Sequence, residues 1–363
     1  MNEDFSRICR VFNVPGQLIS VRELKNGNVN HTYKLICRTV DDEDQAYILQ
    51  NVNTYAFRHP VEIMNNIDLV TRHIERKKQG QVALSFCHTH SGAPYLSDAS
   101  GFWRMYRFLE ADMFNSCDDL DIVRSAGAAF GEFQSLLDDL DVSQVFDTTP
   151  GFHDTRKRYE KLIADMQADP YDRVKKVEPE LAYLLKMQDL ACQITDAYQN
   201  GDLPLRIVHN DTKINNVLFR KGSHDALAVI DLDTIMPGLA AHDFGDAIRS
   251  AANTVAEDCP DVDKVDVDMA VFTAFADGFL SQTASLFTER EIDALAVSGF
   301  VLACELSTRF LDDYIIGDPY FHTDYPGHNL VRTRCQIALS KVLWNKRQEM
   351  DSIIRSCIAK YRT

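Results

Sequence analysis

The chain has 363 residues, 45% of them hydrophobic and 25% charged, with a formal net charge of −16. At roughly 100–200 residues per domain, that is room for two domains or lobes, each able to bury a core. The acidic balance argues against a nucleic-acid partner, which needs a basic footprint. It leaves small anionic ligands open, because one bound divalent cation offsets their charge locally.

The N-terminus, Met1 to Arg7, carries neither the basic nor the apolar region of a secretory leader. No run approaches the ~18 consecutive apolar residues of a membrane helix. The nine cysteines are scattered with no Cys-x-x-Cys pair, so they read as reduced, buried thiols and the expected location is cytoplasmic. Residues 18–21 are expected to form a short strand. A polar break at residues 27–30 follows, then a strand over 32–37, a charged hairpin tip at 41–44 and a strand over 46–50. Ile63, Ile67, Val70 and Ile74 recur at helical spacing after Pro60. Strands near Phe86 and over 102–108 complete a β-β-β-α-β-β order. Beyond it, residues 123–137, 181–198 and 289–311 have helical apolar faces. A β island at 207–235 interrupts them and includes a buried strand at 227–230. The expected fold class is α+β: a β-rich lobe over residues 1–110 and a mainly helical lobe over 111–363.

The island carries the chemistry. His209-Asn210-Asp211-Thr212-Lys213-Ile214-Asn215-Asn216 has the spacing His-x-Asp-x-x-x-x-Asn, followed about fifteen residues later by Ile230-Asp231-Leu232-Asp233. Transfer of a γ-phosphoryl group to an alcohol needs an oriented hydroxyl, a divalent metal and positive charge near the transferring group. Asp211 can take the hydroxyl proton, Asn216 and Asp231 can ligate Mg2+ through oxygen, and Lys213 can face the phosphate. Asp243-Phe244-Gly245 spells the kinase metal triplet literally, but it follows His242 rather than an apolar strand. It reads better as a cap or a brace for the loop.

In the small lobe, Gly27, Asn30 and Thr32 lie between two strands, where backbone N–H groups can approach ATP phosphates. A plain hairpin turn fits the same residues. Gln50 stands where a protein kinase has its third-strand lysine, with Lys34 or Arg104 available to compensate. Phe108 and Leu109, in the expected inter-lobe hinge, offer backbone groups to adenine. Cys87-His88-Thr89-His90 lacks a second ligand pair for zinc and reads as a loop.

These residues resemble the aminoglycoside phosphotransferase and choline kinase superfamily, and within it the N-acetylhexosamine 1-kinases. The matching blocks are Gly27-x-x-Asn30-x-Thr32-Tyr33, Tyr47-Ile48-Leu49-Gln50, the 209–216 loop, residues 230–238, Asp243-Phe244-Gly245-Asp246, Arg309-Phe310-Leu311, and residues 328–334. The resemblance implies a two-lobed, protein-kinase-like fold. It also implies ATP- and Mg2+-dependent phosphorylation of the anomeric hydroxyl of N-acetylglucosamine or N-acetylgalactosamine. Gln50 is then a family trait. Asp211 becomes the base and Asp231 the metal ligand, while Asn28, Asp211, Arg309 and Tyr320 hold the sugar. Taken alone, Arg309 and Tyr320 read better as a surface ion pair and a loop aromatic. The rival functions are a kinase for an amino alcohol, an aminoglycoside or homoserine, and a non-catalytic nucleotide-binding module. Neither membrane nor nucleic acid is an expected partner, and oligomeric state stays open.

Overall fold

The computed structural model describes residues 2–24, 29–79, 82–115 and 118–362. Helix α1 (Asn2–Val11) leads into strands β1 (Gln17–Leu24), β2 (His31–Arg38) and β3 (Asp44–Asn51), then helix α2 (Pro60–Lys78) and strands β4 (Leu96–Asp98) and β5 (Gly101–Arg107). The five strands form one antiparallel sheet in the order β1-β2-β3-β5-β4. Alternation along β2 and β3 buries Leu35, Cys37, Tyr47 and Leu49 on one face, against Ile8 and Phe12 at α1. Residues with the same alternation on the other face look into the cleft.

The next strand, β6 (Ala111–Asp112), leaves this sheet and pairs with β8 (Val217–Arg220), which pairs with β9 (Ala226–Val229). β7 (Arg206–Val208) pairs with β10 (Met236–Gly238). Around these short strands lie α3 (Leu120–Leu137), α4 (Thr155–Ala168), α5 (Glu178–Ala191), α6 (Gln193–Gln199), α7 (Ala240–Ala251), α8 (Met269–Thr283), α9 (Glu289–Ile315) and α10 (His328–Tyr361). Their apolar stripes bury a large core that includes Phe244, Phe272, Phe275, Phe279 and Phe300. At about 1.5–3 kcal/mol for each fully buried large side chain, this core holds the helical lobe together. Helix α9 is apolar and long enough to cross a membrane, yet 78% of its apolar window is buried in the protein, as befits a core helix. Its N-terminus is fixed by a capping box between Thr288 and Glu291.

Helix α2 ties the two lobes. Ile63, Met64 and Ile67 pack with Phe133, Leu232 and Ile235 of the large lobe. Asn66, 2% exposed, donates to the carbonyls of Phe146 and Ile235 at 2.8 and 3.0 Å and accepts from the Phe146 N–H at 2.8 Å. Every polar atom of that amide is thus engaged inside the inter-lobe contact.

Several expectations change in detail. Residues 2–11 form a helix that the reading of the N-terminus did not anticipate. The strand expected near Phe86 is only an isolated bridge to Tyr106. Residues 85–87 bond to β5 and then turn, so that His88 and Thr89 bond to residues 12 and 13 instead. The helix expected over 181–198 is two segments meeting at Cys192, whose backbone stays in the αR region.

Candidate active site

The loop from His209 to Asn216 connects β7 to β8 and is held from beneath by α7. The Asp243 carboxylate, in the first turn of α7 and 1% exposed, accepts from the N–H groups of His209 (2.9 Å) and Asn210 (2.7 Å) and from Gln134 Nε2 (2.9 Å). The Thr212 hydroxyl donates to the Asp243 carbonyl at 2.5 Å, and the Thr212 N–H donates to Asp246 at 3.2 Å. The literal Asp243-Phe244-Gly245 is therefore a brace for the loop. Its phenylalanine is fully buried, and a Cβ on Gly245 would lie 2.7 Å from the Ser298 backbone, so the glycine permits close packing of α7 on α9.

Asp211 sits at the open side of this loop. Asn216 Nδ2 donates to the Asp211 carbonyl (2.8 Å) and carboxylate (3.0 Å), leaving the amide oxygen of Asn216 unspent on these bonds. Lys213 Nζ lies 2.8 Å from the other Asp211 oxygen. Burial, the largest single influence, would lower the Lys213 pKa, but the charge and hydrogen bond of Asp211 together with the Asp246 charge outweigh it and leave the pKa raised. The chain entering Asp231 is stitched to the loop on both sides of Ile230. The Ile230 N–H donates to the Asn216 carbonyl at 2.9 Å, and His209 Nε2 donates to the Ile230 carbonyl at 2.9 Å. Asp231 then takes a left-handed backbone, φ 60°, as does Asn210, φ 63°. Two non-glycine residues in that region cost on the order of 1–3 kcal/mol each and mark a site held by its surroundings.

Asp231 is pushed up from the ordinary carboxylate range, first by burial and then by the neighbouring Asp233 and Asp211. Lys213 pairs with Asp211 and Arg104 with Asp233, whereas no ion pair among the described residues engages Asp231. Asp231, buried and within electrostatic reach of Asp211 and Asp233, offers with them and the Asn216 amide the all-oxygen donor chemistry that a hard divalent cation prefers.

On the small-lobe side, Thr32, Gln50 and Arg104 are cross-strand partners in one row. Gln50 Nε2 donates to the Thr32 hydroxyl at 3.1 Å, and Arg104 Nε donates to Gln50 Oε1 at 2.8 Å. Arg104 forks onto Asp233, and Asn30 Nδ2 donates to the same carboxylate at 3.0 Å. Asn30, Thr32 and Gln50 thus come together around Arg104. Lys34, the other cation considered, lies with its Nζ 3.6 Å from the Phe108 ring centroid, at the hinge. The Phe108 N–H is used by the Ala46 carbonyl at 3.0 Å, so its carbonyl is the backbone group it can offer. Leu109 follows directly, beyond the end of β5. Gly27 and Asn28 fall outside the described residues.

A cleft of about 330 Å³ opens beside Asp211 and Lys213 and reaches Arg309 on α9. Tyr320, 73% exposed, stands outside it, with its ring centroid 5.8 Å from the Arg309 guanidinium. Its loop is pinned by Asp313, which accepts from the N–H groups of Tyr320 (2.9 Å) and Phe321 (3.0 Å). Further lining residues, His153, Arg249, Glu257, Glu305 and Phe321 among them, are not singled out as site residues in the sequence, and Arg332 enters only as part of the matching block 328–334. Only Arg249 had a local signal, three residues after Asp246 on the same helix. Arg249 bonds to Asp246 (2.7 Å) and Glu257 (3.0 Å), while Glu305 accepts from His153 (2.9 Å) and Thr155 (2.8 Å). Burial would raise both buried acids. Arg249 outweighs it at Asp246, and His153 at Glu305, which is held down to about 2. The neighbouring His242 ring, 4.7 Å from His153 between centroids, is lowered to about 3 by burial and then by His153. The zinc reading of residues 87–90 gains nothing, since His88 bonds to Asp68 at 2.8 Å.

Comparison with known proteins points the same way. Residues 20–267 match the model of the phosphotransferase enzyme family. An aminoglycoside phosphotransferase from Alicyclobacillus acidocaldarius superposes with a TM-score of 0.57 at 12% identity, covering 98% of this chain and 96% of that one. A spectinomycin phosphotransferase solved with ADP and spectinomycin gives 0.58 at 10% identity, covering 94% and 98%. Choline kinase from Cryptosporidium parvum gives 0.53 at 13%, covering 98% and 99%. At these identities the structural likeness establishes the shared two-lobed, kinase-like α+β fold. The family match spans most of the chain and includes both the 209–216 loop and Asp231, and the protein belongs to the phosphotransferase enzyme family.

Proposed function

We propose that the protein is an ATP- and Mg2+-dependent kinase that phosphorylates the anomeric hydroxyl of an N-acetylhexosamine, with its lobes divided between residues 110 and 111. The observation that carries the choice of acceptor is the charge balance of the cleft. Asp246 and Glu257 are both paired with Arg249, Glu305 with His153, and Asp211 with Lys213. Arg309 and Arg332 add positive charge to the same lining. A cationic acceptor, such as choline, needs carboxylates free to face it. A neutral polyol instead suits a guanidinium fork and aromatic rings such as Phe321 and Tyr320.

In this reading Asp211 accepts the hydrogen bond of the acceptor hydroxyl and takes its proton as the oxygen attacks the γ-phosphorus. The bond from that phosphorus to the β–γ bridging oxygen breaks, and ADP leaves. An anomeric hydroxyl is more acidic than an ordinary alcohol, so alignment and charge stabilisation carry most of the rate. Asp231 and the Asn216 amide oxygen would hold Mg2+, which supplies charge neutralisation on the phosphates. Lys213, whose Nζ lies 2.8 Å from Asp211, would face the transferring group. The structural relatives include choline and spectinomycin kinases, so the acceptor is the point to test. Purified protein with Mg·ATP is expected to turn over N-acetylglucosamine or N-acetylgalactosamine, and phosphorus NMR to place the phosphate at C1. Turnover of choline, ethanolamine, homoserine or an aminoglycoside, with none on either sugar, would replace this reading.

A further inference from the structure

Arg104 belongs to β5 in the small lobe, and Asp233 to the turn two residues past Asp231 in the large lobe. Both are almost fully buried, at 3% and 5% exposure. The guanidinium binds both Asp233 oxygens, its Nε is fixed by Gln50, and Gln50 is fixed by Thr32. Asn30 adds a second small-lobe donor to Asp233 and accepts from the Asn53 N–H at 2.9 Å. In protein kinases a third-strand lysine pairs with a glutamate on the helix beside the sheet. Here that strand offers Gln50, and the α2 side chain next to Arg104 is Met64, with its sulfur 3.9 Å away. The cation has moved one strand across the sheet, and its carboxylate partner has moved from the helix to the metal turn.

We propose that Arg104 is a positioning residue that latches the small-lobe sheet to Asp233 and thereby orients Asp231 toward the metal on the bound nucleotide. A buried bidentate pair fixes direction as well as distance. Breaking one partner leaves the other an uncompensated buried charge, which the structure cannot absorb in place. The latch acts on the metal-bearing phosphates and not on the acceptor. It rests on the nucleotide and metal part of the reading above, and an enzyme inactive on N-acetylhexosamines leaves it untouched.

The test is calorimetric titration of the full chain with ADP, with and without Mg2+. Arg104→Met and Asp233→Asn are each expected to weaken Mg·ADP binding about tenfold or more, while metal-free ADP binding changes less than twofold. The double variant is expected to bind no more weakly than the worse single one, because both remove the same contact. Arg104→Lys, which cannot fork, recovers only part of the loss. Amide exchange over residues 230–236 should accelerate in Arg104→Met. Should that variant fail to fold, Arg104→Lys and Asp233→Asn decide by the same criterion. Equal losses with and without Mg2+, losses that multiply in the double variant, or Mg·ADP binding within twofold of wild type in a folded single variant would each overturn the latch. A wild-type protein that does not bind Mg·ADP overturns it together with the nucleotide reading.

Discussion

The two sides of the cleft are built in different ways. The proposed nucleotide and metal side concentrates its chemistry in two short, contiguous runs, residues 209–216 and 230–233, the first braced by Asp243 and Asp246. The proposed acceptor side gathers side chains from well-separated stretches between Phe152 and Arg332, many of them already bonded to one another. The first arrangement leaves little redundancy: each side chain has one task. The second shares its load, with Asp246 and Glu257 bonded to Arg249 and Glu305 to His153 before any ligand arrives. Single substitutions should therefore cost most on the first side and less on the second.

The largest loss is expected from Asp231→Asn. Asp231 has no ion-pair partner among the described residues, so the change removes the main charge that the proposed site offers to a cation. Turnover should fall by at least about 10³-fold, with Mg2+ dependence shifted to higher concentration. Steady-state kinetics across a Mg2+ series checks this. Asp211→Asn comes next. It retains the bond from Asn216 but loses the proposed base; with the proposed anomeric acceptor, a comparatively acidic hydroxyl, the loss should sit near 10²-fold, the lower end of about 10²–10⁴ for general bases. Unchanged turnover in either variant would remove the assigned role.

Arg309→Met tests the other side. Losing hydrogen bonds to a neutral acceptor should raise the acceptor KM by about tenfold and leave the ATP KM within twofold. A fall in kcat as large as that of Asp231→Asn would break the contrast between the two sides, because it would place Arg309 among the groups that act only in the transition state.

The same contrast explains what could be read from the chain. The spacing from His209 to Asn216 is local, and β9 can be recognised as an apolar run ending next to Asp231. Asn30, Thr32 and Gln50 also fall within recognisable strand and turn segments. Their convergence on Arg104 and Asp233, 129 residues apart, has no periodicity to announce it. Glu305 and His153, separated by 152 residues, are equally silent: on sequence alone Glu305 is one more polar residue on a long helix. The fold class followed from alternation in β2, β3 and β5 and from helical stripes in α3 and α9, where burial enforces the pattern. It failed where burial is brief, as at residues 85–89, which change partner after two or three residues.

The smallest effect belongs to His242, at the back of the acceptor side. Its ring is 4% exposed, its Nε2 has no partner among the described residues, and its pKa falls from 6.5 to about 3. The folded protein therefore holds this ring neutral where the unfolded chain would protonate it. The stability that follows is fully present above pH 6.5 and is lost as the pH falls toward 3. Glu305, lowered from 4.5 to about 2, contributes in the same direction but only at lower pH. His242→Gln cannot protonate, so its unfolding midpoint should fall less steeply than wild type between pH 6.5 and 4.5. Below that range both should lose stability through Glu305. Melting curves at half-unit pH steps resolve the two windows. Parallel curves above pH 4.5 would show that folding does not lower the His242 pKa.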